Sequence, residues 1–343
     1  MAAPRAPKGL LHPESPLEED QKDQALRPRN FQEFLGQRAM KENLSVFIQA
    51  ARGRKESLDH LFLIGPPGLG KTTLAQVVAH ELGSEFKITS APALDKPKDL
   101  AGILTTLSEK TVFFIDEIHR LKPAIEEMLY IAMEDYQMDW IIGAGPSART
   151  IRIPIQPFTL VGATTRAGNV SSPLISRFGI TCRFSFYEIS DMVAIIERSA
   201  GILDIAIEEE AAALLARSAR GTPRVVNRLL RRVRDFAQVA GAPSIGPALV
   251  EDALGRLEID SLGLEHYDRE ILSIIIQRYG GGPVGAETLA ISIGESVDTL
   301  EDYYEPYLIQ AGLLQRTPRG RMVTPFCYEY LKIPQRGEGG LLF

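Results

Sequence analysis

Gly65-Pro66-Pro67-Gly68-Leu69-Gly70-Lys71-Thr72-Thr73 decides how the rest of this chain is read. Its glycines let successive backbone N–H groups converge on a polyphosphate, Lys71 can reach the terminal phosphates, and the Thr72 hydroxyl suits Mg²⁺. The flanks agree with the loop. Leu61-Phe62-Leu63-Ile64 has the pattern of a short buried strand, and Leu74, Val77, Val78 and Leu82 recur at helical spacing up to Gly83, a C′ glycine. Strand, loop and helix in that order place phosphates at a helix N-terminus, where unpaired N–H groups and the dipole favour anions.

Outward from the loop, residues 26–184 alternate strand-like runs with helical stretches, the signature of a parallel α/β sheet. Val112-Phe113-Phe114-Ile115 and Leu160-Val161-Gly162-Ala163 are continuously apolar, as strands covered on both faces should be. Residues 185–260 carry helical patterns only, at about 191–199, 207–217 and 223–240. A third composition spans 261–335, with helices expected at 267–278, 287–293 and 296–305, the last stopped by Pro306. Leu313-Leu314-Gln315-Arg316, the turn Thr317-Pro318-Arg319-Gly320 and Arg321-Met322-Val323-Thr324 follow as a two-stranded ribbon. Helices and then a ribbon suggest a winged helix-turn-helix. Residues 1–25 and 336–343 lack periodicity and are expected to be tails.

The 343 residues suffice for two or three domains, and 45% hydrophobic with 24% charged residues is ordinary for a globular chain. There is no apolar run of about 18 residues and no N-terminal h-region, so a cytoplasmic protein without membrane association is expected. Cys182 and Cys327 have neither metal-ligand spacing nor the makings of a disulfide framework, and read as buried small hydrophobes. The net charge of -6 gives no global reason to expect nucleic acid, so any DNA contact must rest on a local patch.

Asp116-Glu117 closes a buried strand, where open α/β sheets bind ligands; Asp116 suits the Mg²⁺ side and Glu117 a base acting on water. Thr165 follows another strand and could hold that water or sense the γ-phosphate. Ser172 as N-cap and Pro173 as N1 open a short helix that delivers Arg177, either to a functional place or simply to a dipole-favoured helix end. Arg224 breaks a local rule. With Thr222 as N-cap and Pro223 as N1, it is a cation in the first turn, opposing the helix dipole by about 0.3–1 kcal/mol. A nearby phosphate would reverse that sign.

The loop at 65–73, Asp116-Glu117-Ile118-His119-Arg120, Gly162-Ala163-Thr164-Thr165-Arg166-Ala167-Gly168, Leu174-Ile175-Ser176-Arg177-Phe178, Gly221-Thr222-Pro223-Arg224 and Thr317-Pro318-Arg319-Gly320-Arg321 occur in this order. On these motifs the chain resembles the AAA+ ATPases, and within them the RuvB family, over residues 26–332. The resemblance implies an ATP-driven motor that forms homo-hexameric rings on duplex DNA. It would drive branch migration of Holliday junctions with RuvA, which binds the junction, and RuvC, which cuts it. It implies that Gly65, Gly68, Gly70, Lys71, Thr72 and Thr73 bind ATP and Mg²⁺, that Asp116 supports the metal, and that Glu117 activates water. Thr165 would be sensor 1, Arg177 an arginine finger donated to a neighbouring subunit, and Arg224 the sensor 2 arginine. Leu26, Arg27 and Tyr187 match positions near base and ribose, and Glu134, Asp135 and Tyr136 a stretch near the nucleotide.

Residues 138–142 and 150–155 alternate with period 2 around Gly143-Ala144-Gly145-Pro146, a hairpin pattern. Packing on the core and exposure are both open from the residues alone; the resemblance makes this hairpin, with the only tryptophan, Trp140, the surface that receives RuvA. The helix expected at 296–305 carries Glu295, Asp298, Glu301, Asp302 and Glu305 at or beside it, which would repel phosphates. DNA contact is therefore expected at Arg316, Arg319 and Arg321 of the wing, on backbone phosphates that carry no sequence information. A clamp-loader or initiator-like switch, or a regulator that binds ATP without turnover, would share the loop but not this whole set.

Overall fold

A computed structural model of the chain describes residues 25–142 and 149–334. They form two compact units, Arg27–Tyr187 and a second that takes in Leu26 and the chain from Glu188 onward.

The first unit runs α1 (Arg38–Arg54), β1 (Leu61–Ile64), α2 (Lys71–Leu82), β2 (Phe86–Ser90), α3 (Pro97–Leu104), β3 (Val112–Asp116) and α4 (Pro123–Asp135). It continues through β4 (Gln137–Ile142), β5 (Arg149–Pro154), β6 (Thr159–Thr164), α5 (Ser172–Ile175) and β7 (Ile180–Arg183). Five strands make one sheet in the order β2-β3-β6-β1-β7. Every pairing is parallel, with Leu61 opposite Val161 and Ile180, and Val112 opposite Phe86 and Thr159. The apolar runs read in β1, β3 and β6 are buried along nearly their whole length because helices cover both faces. Gly162 is needed inside β6: a Cβ there would meet Ile118 at 2.6 Å and Phe178 at 2.9 Å, two side chains of the core on that face.

A parallel sheet has all its strand C-termini on one edge and all its N-termini on the other. Four-residue β1 sets these edges roughly 10–13 Å apart, at about 3.3 Å per residue. That separation governs the site described below.

β4 and β5 pair antiparallel outside the large sheet, with Met138 opposite Ile153 and Trp140 opposite Ile151. Met138 and Ile155 are buried in the core, Trp140 and Ile153 pack partly against it, and Ile151 is exposed. The hairpin is thus anchored at its base and open farther out. The Gly143–Pro146 turn read from the sequence lies outside the described residues.

The second unit begins with α6 (Ile189–Ile202), α7 (Glu209–Ser218), α8 (Pro223–Ala240) and α9 (Pro247–Arg256). It goes on through α10 (His266–Tyr279), α11 (Ala286–Ile293), α12 (Val297–Thr299), a π turn at Leu300–Tyr304, α13 (Glu305–Gln310), β8 (Leu314–Thr317), β9 (Gly320–Val323) and α14 (Pro325–Leu331). Helix α9 escaped the sequence pattern because only Val250, Ala253 and Leu254 are buried, a narrow stripe. Pro306 does not stop its helix. It sits at the second position of α13, where the wider π turn ahead of it takes up the missing N–H and the ring. Both cysteines are free and buried.

The segments expected as a helical domain and a winged-helix domain meet over a buried ion pair. Arg220 gives Nε to the Gly263 carbonyl at 2.6 Å and a terminal nitrogen to Asp268 at 2.5 Å, and both charged side chains are almost fully buried. Gly263 adopts φ +76°, and a Cβ there would strike the Ser218 carbonyl at 2.3 Å, so the chain passes close at this joint. Asp268 also accepts the Glu265 N–H at the start of α10, which satisfies its second demand for donors.

Candidate nucleotide site

The phosphate loop leaves β1 at the C-terminal edge of the sheet. Gly65 adopts φ +156°, and a Cβ there would stand 2.7 Å from that of Phe184, so the loop hugs the end of β7. Lys71, Thr72 and Thr73 occupy the first turn of α2, whose N-cap, Gly70, offers no side chain to the first N–H groups. Those donors stay available to an anion. Lys71 is 8% exposed and donates to the carbonyls of Gly65 at 2.7 Å and Pro66 at 2.9 Å, so its ammonium is folded over the loop. Buried Tyr187 braces the loop by donating its hydroxyl to the Leu69 carbonyl at 3.1 Å. Arg27 is half-buried in the same unit. Leu26 is buried in the other, where its carbonyl accepts from Arg198 at 2.8 Å.

Asp116 ends β3 on the same edge and accepts the Glu117 N–H at 2.9 Å. Glu117 adopts φ +50°, a left-handed conformation uncommon outside glycine and of the kind that clusters at active sites. Its carboxylate, about half exposed, accepts from Arg120 at 2.9 Å. Thr165 is partly buried just past β6, and beside it the Thr164 hydroxyl lies 3.0 Å from Nδ1 of His119. The sheet therefore brings Lys71, Thr72, Asp116, Glu117 and Thr165 to one edge. His119 and Arg120 stood in the motif that carried the resemblance but were given no role from the sequence; the structure sets them against Thr164 and Glu117.

Arg177 lies at the opposite edge. It follows α5 and precedes β7, and at Gly179 a Cβ would meet that of Asp59 at 3.0 Å, just ahead of β1. Its guanidinium donates to the Pro173 carbonyl at 2.7 Å, pairs with Glu134 at 3.2 Å and lies 4.6 Å from the centre of the Tyr130 ring. The N-cap of α5 is Ser171, not Ser172: the Ser171 hydroxyl accepts the Leu174 N–H at 3.4 Å, and Pro173 falls one position deeper than expected. Glu134 and Asp135 end α4 at this same edge, with Tyr136 as its C-cap, and of the three Glu134 is the one that pairs with Arg177. Tyr136 packs edge-on to His60 and Phe158.

His60 ties this edge together. Its Nδ1 accepts the Leu160 N–H at 2.9 Å, so its Nε2 carries the proton that it donates to the Met133 carbonyl at 3.1 Å. Burial pushes its pKa below the ordinary histidine value, against the opposing pull of the Met133 hydrogen bond and of Asp59.

In the second unit, Arg224 is exposed in the first turn of α8, as expected. Thr222 stands at the N-cap position but gives its hydroxyl to the Arg220 carbonyl at 3.2 Å and does not cap. On the wing, Arg319 is exposed. Arg316 and Arg321 are not loose surface charges: their Nε atoms donate to the two oxygens of Glu305 at 2.5 and 2.7 Å, and Arg321 also reaches Glu301 at 2.5 Å. Glu305 is fully buried, Arg316 about half exposed and Arg321 13% exposed. Two of the acids that looked like phosphate repellents thus act as anchors for the wing arginines.

A phosphate loop on this sheet order, a strand-end acid pair and a helical segment after the sheet define a P-loop ATPase of the AAA+ class. Three family descriptions match nearly all of the chain between residues 26 and 332: the Holliday junction DNA helicase RuvB P-loop domain at residues 26–184, the RuvB AAA lid domain at 187–260 and the RuvB C-terminal winged helix domain at 261–332. The chain belongs to the RuvB family. It is 73% identical over 322 residues to the Holliday junction branch migration complex subunit RuvB of Treponema denticola, covering 93% of this chain and 94% of that protein. To the subunit of the same name from Treponema pallidum it is 69% identical, over 92% of this chain and 90% of that one. Among solved structures, the Thermotoga maritima RuvB Holliday junction branch migration motor superposes with a TM-score of 0.84 at 50% identity, over 90% of this chain and 99% of that one.

Proposed function

We propose that this chain is an ATP-driven motor that assembles as a homo-hexameric ring on duplex DNA and drives branch migration of Holliday junctions. The observation that carries the proposal is the division of the catalytic set between two edges of one sheet. Lys71, Asp116, Glu117 and Thr165 stand at the C-terminal edge, and Arg177 at the other. A side chain that far from its own loop can complete only a neighbour's site, so hydrolysis becomes a property of the assembled ring. The same placement gives Glu134, Asp135 and Tyr136 a route to a nucleotide, that of the adjoining subunit.

In each site the loop N–H groups and Lys71 hold the ATP phosphates, and Thr165 and the Glu117 carboxylate orient water for in-line attack on the γ-phosphate. Glu117 takes the proton, for which it must exchange its contact with Arg120. Arg177 of the neighbour stabilises charge on the transferring group, and Arg224, on the family resemblance, senses it. Thr72 and Asp116 are the residues that would hold Mg²⁺. Among the described residues no group of three or more His, Cys, Asp or Glu side chains gathers into a metal site. Bound there, Mg²⁺ would neutralise charge between the β- and γ-phosphates.

The domain limits that fit this reading are 26–184, 185–260 and 261–335. Arg316, Arg319 and Arg321 contact DNA phosphates, the hairpin carrying Trp140 receives RuvA, and RuvC acts on the same junction. None of the described helices is long and apolar enough to cross a membrane. A cytoplasmic place suits a protein that works on DNA.

The test is a synthetic four-way junction incubated with the protein, ATP, Mg²⁺ and the junction-binding partner. Conversion to two duplex products is expected. Steady ATP consumption with no conversion would overturn the branch-migration assignment.

A further inference from the structure

We propose that Tyr130 is a positioning residue for Arg177, setting the guanidinium in the plane from which it reaches a neighbour's γ-phosphate. The inference rests on the reading that Arg177 is donated between subunits. Two contacts join Tyr130 to the arginine, one direct and one through the cap of α5, the short helix that ends just before Arg177.

The direct contact is the ring itself, with the Arg177 guanidinium carbon 4.6 Å from its centre. A ring face holds a guanidinium by cation–π attraction without using its N–H donors. The indirect contact runs through the hydroxyl, 2.8 Å from Oε2 of Glu126 and 2.9 Å from Oγ of Ser171. Glu126 is buried, and its carboxylate can only accept, so Tyr130 donates to it and Ser171 gives its own hydrogen to Tyr130. The Ser171 oxygen meanwhile caps α5 by accepting the Leu174 N–H. A buried acid, the tyrosine and the helix cap thus form one directed chain beneath the arginine.

Such support is needed because α5 is a single turn, and a long arginine side chain loses much rotamer freedom when it is held in one pose. The other contacts serve differently. The Pro173 carbonyl holds one terminal nitrogen, while Glu134, 57% exposed, holds the other and is the contact a phosphate would displace. Tyr130 is the contact that persists when the donors turn to a ligand.

The test compares Tyr130→Leu, which removes the ring, with Tyr130→Phe, which keeps the ring and loses the hydroxyl, in rings assembled on duplex DNA. Tyr130→Leu is expected to lower kcat by about 10²-fold, the scale of a misplaced catalytic group, with ATP affinity unchanged, and Tyr130→Phe to retain most of the turnover. Tyr130→Met replaces the leucine variant if that one melts early. The decisive arm mixes subunits. Tyr130→Leu chains, whose own sites are intact, should regain turnover beside Glu117→Gln chains, which cannot hydrolyse ATP but donate sound arginines. Arg177→Ala mixed with Glu117→Gln is the parallel control. If the control is rescued and the folded Tyr130 variant is not, or if that variant alone turns over like the parent, the role of Tyr130 is overturned while the donated arginine stands. If the control is not rescued, the donated arginine itself fails, and the Tyr130 proposal with it.

Discussion

Oε1 of Glu305, a carboxylate with no exposed surface, accepts Nε of Arg321 at 2.7 Å, while its other oxygen accepts Nε of Arg316 at 2.5 Å. One buried acid therefore fixes two arginines on the wing, one on each strand of the β8–β9 ribbon. Burying a carboxylate is costly unless donors surround it, and here both oxygens are satisfied by charged groups. The arrangement holds Arg316 and Arg321 in fixed places on the ribbon.

Glu305→Gln should destabilise the winged-helix segment, because an amide offers one acceptor where the carboxylate served two guanidinium groups. A hydrogen bond to a charged group contributes about 1.5–3 kcal/mol, and the half-exposed Arg316 places the loss toward the lower figure. Chemical denaturation followed by tyrosine fluorescence would measure it. DNA affinity should drop as well, since the arginines lose their frame; an unchanged midpoint with unchanged affinity would refute this account of the wing.

Arg316→Ala should weaken DNA binding alike for all sequences, because phosphate contacts position without specifying. The slope of log affinity against log salt should become shallower by about 0.9 for the one phosphate contact removed. Titrations at several salt concentrations on two unrelated duplexes check both statements. A loss confined to one duplex would point instead to base readout.

Glu117→Gln should leave ATP binding intact and lower turnover by about 10²–10⁴-fold, the usual worth of a positioned general base. Fluorescent-nucleotide binding and phosphate release, measured on the same preparation, separate the two effects. Comparable losses in both would mean that Glu117 supports the loop and not the chemistry.

The ATPase unit should lose stability in mild acid through His60. Burial depresses its folded-state pKa below the ordinary value of about 6.5, so the unfolded chain binds the proton more readily. Stability is therefore full above about pH 6.5 and falls as pH drops toward the lower folded-state pKa, by at most about 1.4 kcal/mol per pH unit for one proton. Melting temperatures between pH 5 and 8 should show this fall in the parent. It should be flattened in His60→Gln, whose amide offers a donor and an acceptor but does not titrate.

What the sequence determined by itself was local. The phosphate loop, the apolar strands β1, β3 and β6, the acid pair at 116–117 and the wing turn are contiguous stretches whose chemistry follows from spacing and periodicity. They were legible as written, down to the bounds of α8. Helix α9 and the continuation through Pro306 were not, because a narrow apolar stripe and a π turn are permitted by neighbouring packing and not signalled by residue type. Only the tertiary structure decided which groups share an edge. Residues 61, 112, 159 and 180 begin strands far apart in sequence, and the parallel sheet alone sets Arg177, Glu134 and His60 at one edge and Lys71, Asp116 and Thr165 at the other. Likewise, the acids of the winged-helix segment read as repellents of DNA until folding closed Glu305 and Glu301 onto Arg316 and Arg321. Whether a charge repels, pairs or is spent depends on what packs beside it, and that is a property of the fold.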